Sequence, residues 1–146
     1  MPYRILIADD HSLVRKVLKT TLENYSDWEV CGQATNGLEA VQKAAELRPD
    51  LIILDFAMPV MDGLGAARRI LSASPSVPIL IFANYYFPSL LVEADSVGVR
   101  QVIDKGVAGN ELLFAVETVL NGKGQDRKST RLNSSHTEQS RMPSSA

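Results

Sequence analysis

Four residues scattered along the chain could act as one chemical group: the adjacent acids Asp9 and Asp10, then Asp55, then Lys105. Carboxylates gathered together repel one another and resist ionisation unless a cation joins them. A hard divalent ion with oxygen ligands answers that need. Mg²⁺ is favoured, because it accepts a few carboxylates, keeps waters and takes phosphate as a further ligand. An ammonium beside it would hold a phosphoryl oxygen as a point charge. The chemistry such a set permits is attack by an aspartate oxygen on phosphorus to give an acyl phosphate, with metal and lysine offsetting the charge. Taken singly, each residue has an ordinary explanation. An aspartate at a strand end is commonly a turn former or a helix cap, and a lone lysine is commonly a solvated surface group. The set acquires meaning only if the fold brings its members together.

The pattern of apolar residues predicts a fold that does so. Arg4 to Ala8 reads as a short buried strand, and Ser12 is placed to cap a helix carrying Leu13, Val14, Val17, Leu18 and Leu22. Trp28 to Ala34 reads as a second strand. Asn36-Gly37 turns the chain into a helix that runs through Ala40, Val41, Ala44, Ala45 and Leu47 and stops at Pro49. Leu51 to Leu54 is a third strand with Asp55 at its end, and a loop with Pro59 and Gly63 leads to a helix around Ala66 to Leu71. Ile79 to Ala83 is a fourth strand, followed by a helix from Ser89 to Val97 that ends at Gly98. Gln101 to Ile103 is a fifth strand, followed by a helix from Asn110 to Leu120. Short apolar strands alternating with helices imply an α/β class with a parallel sheet covered on both faces. Right-handed crossovers and five such units make a doubly wound, five-stranded sheet of order 2-1-3-4-5 the natural arrangement. In that order strands one and three are neighbours, and ligands bind at their C-terminal edge.

Composition bounds the rest. The chain has 146 residues, 45% hydrophobic and 22% charged, which suits one soluble domain with a proper core. A net charge of −2 gives no broad basic surface, so direct nucleic-acid binding is not expected. The single cysteine, Cys31, excludes an internal disulfide framework and a cysteine-rich zinc site, and reads as a small hydrophobe on a strand. The start of the chain lacks signal-peptide shape, and no apolar stretch approaches the ~20 residues of a membrane span, so a cytoplasmic location without membrane contact is expected. Composition shifts at Gly122-Lys123-Gly124, which lacks the spacing of a phosphate loop. A domain over 1–122 and a disordered tail over 123–146 are expected. From Asp126 to His136, and again from Ser140 to Ala146, the tail resembles the in-frame translation of a short-read sequencing adapter. On that reading the tail is foreign, and the gene continues in another form beyond Gln125.

The segment Ile7-Ala8-Asp9-Asp10-His11 resembles the opening of response-regulator receiver domains. The stretch from Asp50 to Gly63, with its Met58-Pro59 and Asp62-Gly63, resembles their phosphoacceptor segment, and Lys105 fits their lysine after strand five. The resemblance covers about the first 122 residues and is nearest to receivers that carry a helix-turn-helix output domain. It implies the flavodoxin-like receiver fold and a phosphoacceptor, Asp55, charged by a sensor histidine kinase in a two-component phosphorelay. It further implies Mg²⁺ held by Asp10, Asp55 and the backbone carbonyl of Ala57, with Asp9 accessory and Lys105 on the phosphoryl group. No enzymatic turnover is implied beyond self-catalysed phosphotransfer and dephosphorylation; a transcriptional output elsewhere and a possible homodimer are.

Two positions depart from the family pattern. Ala83 stands where a Thr or Ser hydroxyl is usual, and Val102 where an aromatic ring is usual; Gln101 also replaces a frequent glycine. Alanine has no donor for a phosphoryl oxygen. A switch needs differential contacts between its states, and two of the usual sources are absent. Asn84 and Tyr85 lie close enough to substitute in part. A degenerate receiver that binds a partner without phosphate is therefore an alternative. An aspartate-nucleophile phosphohydrolase is a weaker one, because Ala57 stands where its general acid would be needed. Tyr85-Tyr86-Phe87 reads as loop and core packing at the start of helix four, with a partner surface as the alternative. Trp28 reads as packing at a helix–strand seam, and His11 as a side chain turned away to solvent.

Overall fold

The computed structural model describes residues 2–84, 87–106 and 109–122. Strands and helices alternate as β1 (Arg4–Ala8), α1 (Ser12–Tyr25), β2 (Glu29–Ala34), α2 (Gly37–Leu47), β3 (Leu51–Asp55), α3 (Gly63–Ala73), β4 (Ile79–Ala83), α4 (Pro88–Val97), β5 (Gln101–Asp104) and α5 (Gly109–Asn121). All strand pairs are parallel and the order is β2-β1-β3-β4-β5, the doubly wound arrangement read from the sequence. Each crossover helix returns the chain to the same edge of the sheet, so the segments after β1, β3 and β5 all open on one rim.

The sheet divides the core by the two-residue period of its strands. Leu6, Ala8, Ile52, Leu54, Ile79, Ile81, Ala83 and Val102 face α2, α3 and α4. Ile5, Ile7, Leu51, Ile53, Leu80 and Ile103 face α1 and α5. The central strand β3 is buried along its full length, Asp55 included. Trp28 is buried in the α1–α5 face and its ring lies 5.3 Å from that of Tyr25, the seam position expected of it. Cys31 is half-buried on the outer strand β2.

Helix ends follow local chemistry. The Asn36 side chain accepts from Glu39 N at 2.8 Å, while Glu39 accepts from Thr35 N at 2.7 Å, a reciprocal cap for α2. Arg48 closes that helix in the left-handed region, φ 48°, just before Pro49. Gly98 closes α4 with φ 108°, where a side chain would be strained. The start of α1 differs from the expectation. Ser12 is already helical, the cap is His11, and no side chain bonds the free N–H groups there. The helix is also narrower in its buried face. Leu18 and Leu22 are buried, but Leu13 is 70% and Val17 54% exposed. Each lies one residue N-terminal to an inward-facing position, Leu13 before Val14 and Val17 before Leu18, and so rotates out of the stripe by 100°. Elsewhere the helices run further than predicted: α3 begins at Gly63 and α5 extends to Asn121. Tyr85 and Tyr86 and the tail 123–146 lie outside the described residues. Among the described residues, no helix is long and apolar enough to cross a membrane.

The exposure pattern of α1 is open to a direct check. Leu22→Ala, at a fully buried position, is expected to cost about 3 kcal/mol in urea denaturation. Leu13→Ala is expected to change stability by no more than about 0.5 kcal/mol. Equal losses would place Leu13 in the core and contradict the packing described.

Candidate functional site

The rim is built from three strand ends. At the first, Asp9 N donates to Ala34 O at 3.0 Å, which continues the sheet one residue past β1. Arg15, one turn into α1, locks this junction: its Nη1 donates to Asp9 O at 2.7 Å and its Nε to Gln33 Oε1 at 3.1 Å. The Asp9 side chain turns inward and its Oδ1 accepts from His11 N at 2.9 Å. At the second, Asp55 pairs with Phe82 across β4, and Phe56 N donates to Phe82 O at 2.7 Å. At the third, Lys105 N donates to Ala83 O at 2.8 Å. Parallel pairing thus sets the register of all three side chains.

The loop between β3 and α3 must fold back tightly to leave Asp55 accessible. Gly63 N donates to Phe56 O at 2.8 Å, and a Cβ on Gly63 would overlap the backbone oxygen of Asp55. Only a glycine permits that approach. The neighbouring Asp62 caps α3, accepting from Gly65 N at 2.8 Å. Val60 at the loop crest has φ 70°, an uncommon conformation for a β-branched residue. Functional loops are where such strain collects.

The convergence expected of the four residues is present. Lys105 Nζ lies 3.0 Å from Asp9 Oδ2 and 3.0 Å from Asp55 Oδ1. Asp9 is 0% and Asp55 4% exposed. Burial opposes the Asp55 carboxylate and sets its pKa above the usual carboxylate value, assisted by the Asp9 charge and resisted by Lys105 and by the N–H of Ala57. Burial also works against the Lys105 ammonium, but contacts with Asp9 and Asp55 together outweigh it and hold that pKa above its ordinary value. The lysine is therefore charged, and it is shared by two acids.

One cation for this many acids leaves negative charge in excess. Asp9 Oδ2 is buried with no well-aligned hydrogen bond; the Lys105 ammonium lies 3.0 Å away, and the carboxylate of Asp55 adds like charge beside it. Ligand atoms of Asp9, Asp10, His11 and Asp55 lie within 4.8 Å of one another. Oxygen donors at this spacing fit a hard divalent cation, and the under-satisfied Asp9 oxygen is what such an ion would relieve.

Of the adjacent acids Asp9 is the buried one, and the Asp10 side chain is 33% exposed. One expectation needs correction. His11 does not turn away. Its side chain is 68% exposed, yet Nδ1 lies 3.3 Å from Asp9 Oδ1 and 3.2 Å from Asp10 Oδ1. An exposed ring beside two acids gains by facing them, and the sequence register alone did not convey that. The roles of Arg15 and Gly63 in shaping the rim were also missed. A cation one turn beyond an acidic pair, and a glycine at the mouth of a helix, were the available signals. Ala83 is 2% and Val102 8% exposed, both packed on the α2–α4 face. Phe87 sets its ring edge-on to Phe56 with centroids 6.1 Å apart, so this member of the aromatic cluster packs beside the site.

Residues 5–117 match the receiver domain of response regulators as a family. The chain is 36% identical over 114 residues to the chemotaxis protein CheY of Listeria monocytogenes, covering 78% of this chain and 95% of that one. It is 34% identical over 119 residues to the transcriptional regulatory protein LnrK of Bacillus subtilis, covering 82% of this chain and 54% of the relative. Among solved structures it resembles a two-component response regulator of the LuxR family from Aurantimonas sp. SI85-9A1. There the TM-score is 0.80 at 28% identity, with 84% of this chain and 87% of that one covered. The chain spans only part of several curated relatives: 59% of a second response regulator and 22% of a protein-glutamate methylesterase.

Two substitutions test the rim. A carboxyl whose folded pKa lies above its unfolded value opposes folding at any pH where it is ionised, and that opposition fades as pH falls toward the unfolded value. In metal-free buffer at neutral pH, Asp55→Asn is therefore expected to raise Tm, and the gain is expected to shrink as the buffer is acidified; a lowered Tm would mean that the acid is favourably compensated. Gly63→Ala is expected to cost about 2 kcal/mol through overlap with the Asp55 backbone. Gly65→Ala, whose Cβ would meet the flexible Met61 side chain at 3.1 Å, is expected to cost clearly less in the same denaturation assay.

Proposed function

From the premise that this chain belongs to the response regulator receiver family, we propose that Asp55 is its phosphoacceptor. An Asp55 carboxylate oxygen attacks the phosphorus of a phosphohistidine on a sensor kinase, the new O–P bond forms as the N–P bond breaks, and the imidazole leaves with the electron pair. Hydrolysis of the acyl phosphate by water resets the site. The observation that carries this reading is the placement of Lys105 Nζ at 3.0 Å from both Asp9 and Asp55. An ammonium already desolvated between two acids is positioned to follow a phosphoryl oxygen when Asp55 takes on the group.

Asp10, Asp55 and the backbone carbonyl of Ala57 would hold Mg²⁺, with Asp9 supporting them. The ion, when bound, would offset charge on the phosphoryl group during transfer. Asp9 has a second task in this scheme. Its buried carboxylate retains Lys105 at the rim even after Asp55 has been modified. Arg15 and the backbone N–H of His11 hold Asp9 in that posture.

The path from phosphate to partner is built differently from the family pattern. Ala83 offers no donor, and Val102 has no ring to turn inward. Phe87, 39% exposed and edge-on to Phe56, is an aromatic residue beside the rim that is placed to respond. The partners of the phosphorylated form, a transcriptional output and a second copy of the chain among them, belong to this proposal. So do the extent of the domain over 1–122 and the foreign origin of the tail.

Incubation with Mg²⁺ and acetyl phosphate, followed by intact-mass measurement, is the test. One phosphoryl group is expected on the native chain, none on Asp55→Asn, and none after chelation of the metal. A native chain that stays unmodified under these conditions would identify a degenerate receiver instead. Lys105→Met is expected to retain some modification at Asp55 but with slower transfer and altered hydrolysis.

A further inference from the structure

At the opposite edge of the sheet, where the strands begin, the ends of α2 and α3 leave an open cleft of about 630 Å³. That volume lies within the range of small-molecule sites, roughly 300–1,000 Å³, and the receiver reading gives the cleft no task. Ile52 of β3 and Ile70 of α3, both buried, supply an apolar floor, with Ala45 and Val77 beside them. The charge in the cleft is of one sign. Arg48 and Arg100 line it together with the hydroxyl residues Ser74 and Ser76, and no acid is among the described lining residues. The nearby acid Asp50 accepts from Arg4 N through its Oδ2 at 2.8 Å. Two guanidinium groups thus occupy one cleft in a chain whose net charge is −2. The backbone that carries them is fixed. Arg48 N donates to Ala44 O at 3.1 Å, and Arg48 O accepts from Arg4 Nη1 at 3.3 Å. Arg100 N donates to Ile79 O at 2.9 Å, and Val77 N to Ser74 O at 3.3 Å. Arg48 stands at φ 48°, where glycine or asparagine would cost less.

We propose that this cleft is a second binding site, for a small organic monoanion with a carboxylate head and an apolar body. The guanidinium fork matches the geometry of a carboxylate, and the serine hydroxyls are further donors. The floor of Ile52 and Ile70 gains by covering the body and is left wet by a small inorganic anion. Magnitudes set the charge of the ligand. The carbonyl ends of α2 and α3 each place roughly half a negative charge at this edge. Set against two arginines, they leave about one positive charge uncompensated, which suits a monoanion better than a phosphate dianion. The site stands apart from Asp55, since Ile52 lies near the start of β3 and Asp55 at its end.

Titration of the ¹⁵N-labelled full chain with sodium 2-naphthoate in metal-free buffer, followed by amide shifts, tests this. Saturable shifts are expected, largest at Ser74, Ser76, Val77 and Arg100. Naphthalene-2-carboxamide, alike in shape but uncharged, is expected to bind at least about tenfold more weakly. Arg48→Gln, at an exposed position, and Arg100→Gln are each expected to weaken 2-naphthoate about tenfold and to leave the carboxamide within about twofold. The dianion of 2-naphthyl phosphate is expected to bind no more tightly than 2-naphthoate. Ala45→Leu, also at an exposed position, is expected to narrow the cleft and weaken both naphthyl probes. Equal affinity for acid and carboxamide, indifference to both arginine substitutions, or tighter binding of the phosphate overturns the proposal. So do shifts centred on another part of the surface, or shifts that do not saturate by about 10 mM probe.

Discussion

Two carboxylates withdrawn from water at the end of a sheet cannot both stay ionised without a positive group beside them, and here a single ammonium is shared between them. Lys105 stands at 3.0 Å from each. Desolvating an ion costs several kcal/mol, roughly, even after the surroundings relax. A lone pair of acids at Asp9 and Asp55 would therefore abandon one charge, and with it either the nucleophile or the lysine's anchor. Sharing keeps both. It also leaves the rim with excess negative charge that invites a divalent ion, and with a cation able to change partners without travelling. The parallel sheet is what makes sharing possible, since it delivers side chains from β1, β3 and β5 to one edge from widely separated stretches of sequence.

The surrounding loops serve that arrangement by staying close without covering it. Gly63 lets the chain return against the Asp55 backbone, and Gly37 N donates to Met61 O at 3.0 Å, tying the loop after β2 to the loop after β3. Strain at Val60 belongs to the same tight return. The two halves of the core are unequal partners in this. The α1–α5 face packs large aliphatic side chains against Trp28, whereas the α2–α4 face includes Ala8, Ala34, Ala40, Ala66, Ala67, Ala83 and Ala94. Small residues let helices approach the sheet closely near the rim, and Ala83 belongs to that thin layer.

Much of this was legible in the sequence because its signals were local and strong. Leu51 to Leu54 is apolar throughout, as a strand buried on both faces must be, and the alternation of strands and helices leaves few topologies. Asp55 and Lys105 were identifiable because they terminate such strands. What escaped was decided by tertiary context. The adjacent acids Asp9 and Asp10 are chemically identical in sequence, and only the inward pleat at the end of β1 buries the first and exposes the second. Leu13 and Val17 look like core residues by type, but their angular position on α1 carries them out. His11 was assigned to solvent by its register. The ring is exposed, but torsion about its side-chain bonds, which no periodicity encodes, brings Nδ1 to the acids.

The contributors to the rim come from the first, third and fifth strands, with the lysine last. A chain emerging from the ribosome carries Asp9 and Asp55 long before their neutralising partner exists. Until residue 105 has been made and β5 has docked beside β4, the two acids have no shared ammonium between them and no reason to remain buried. Completion of the centre is thus a report that translation and folding have reached the far edge of the sheet, and no shorter fragment can imitate it.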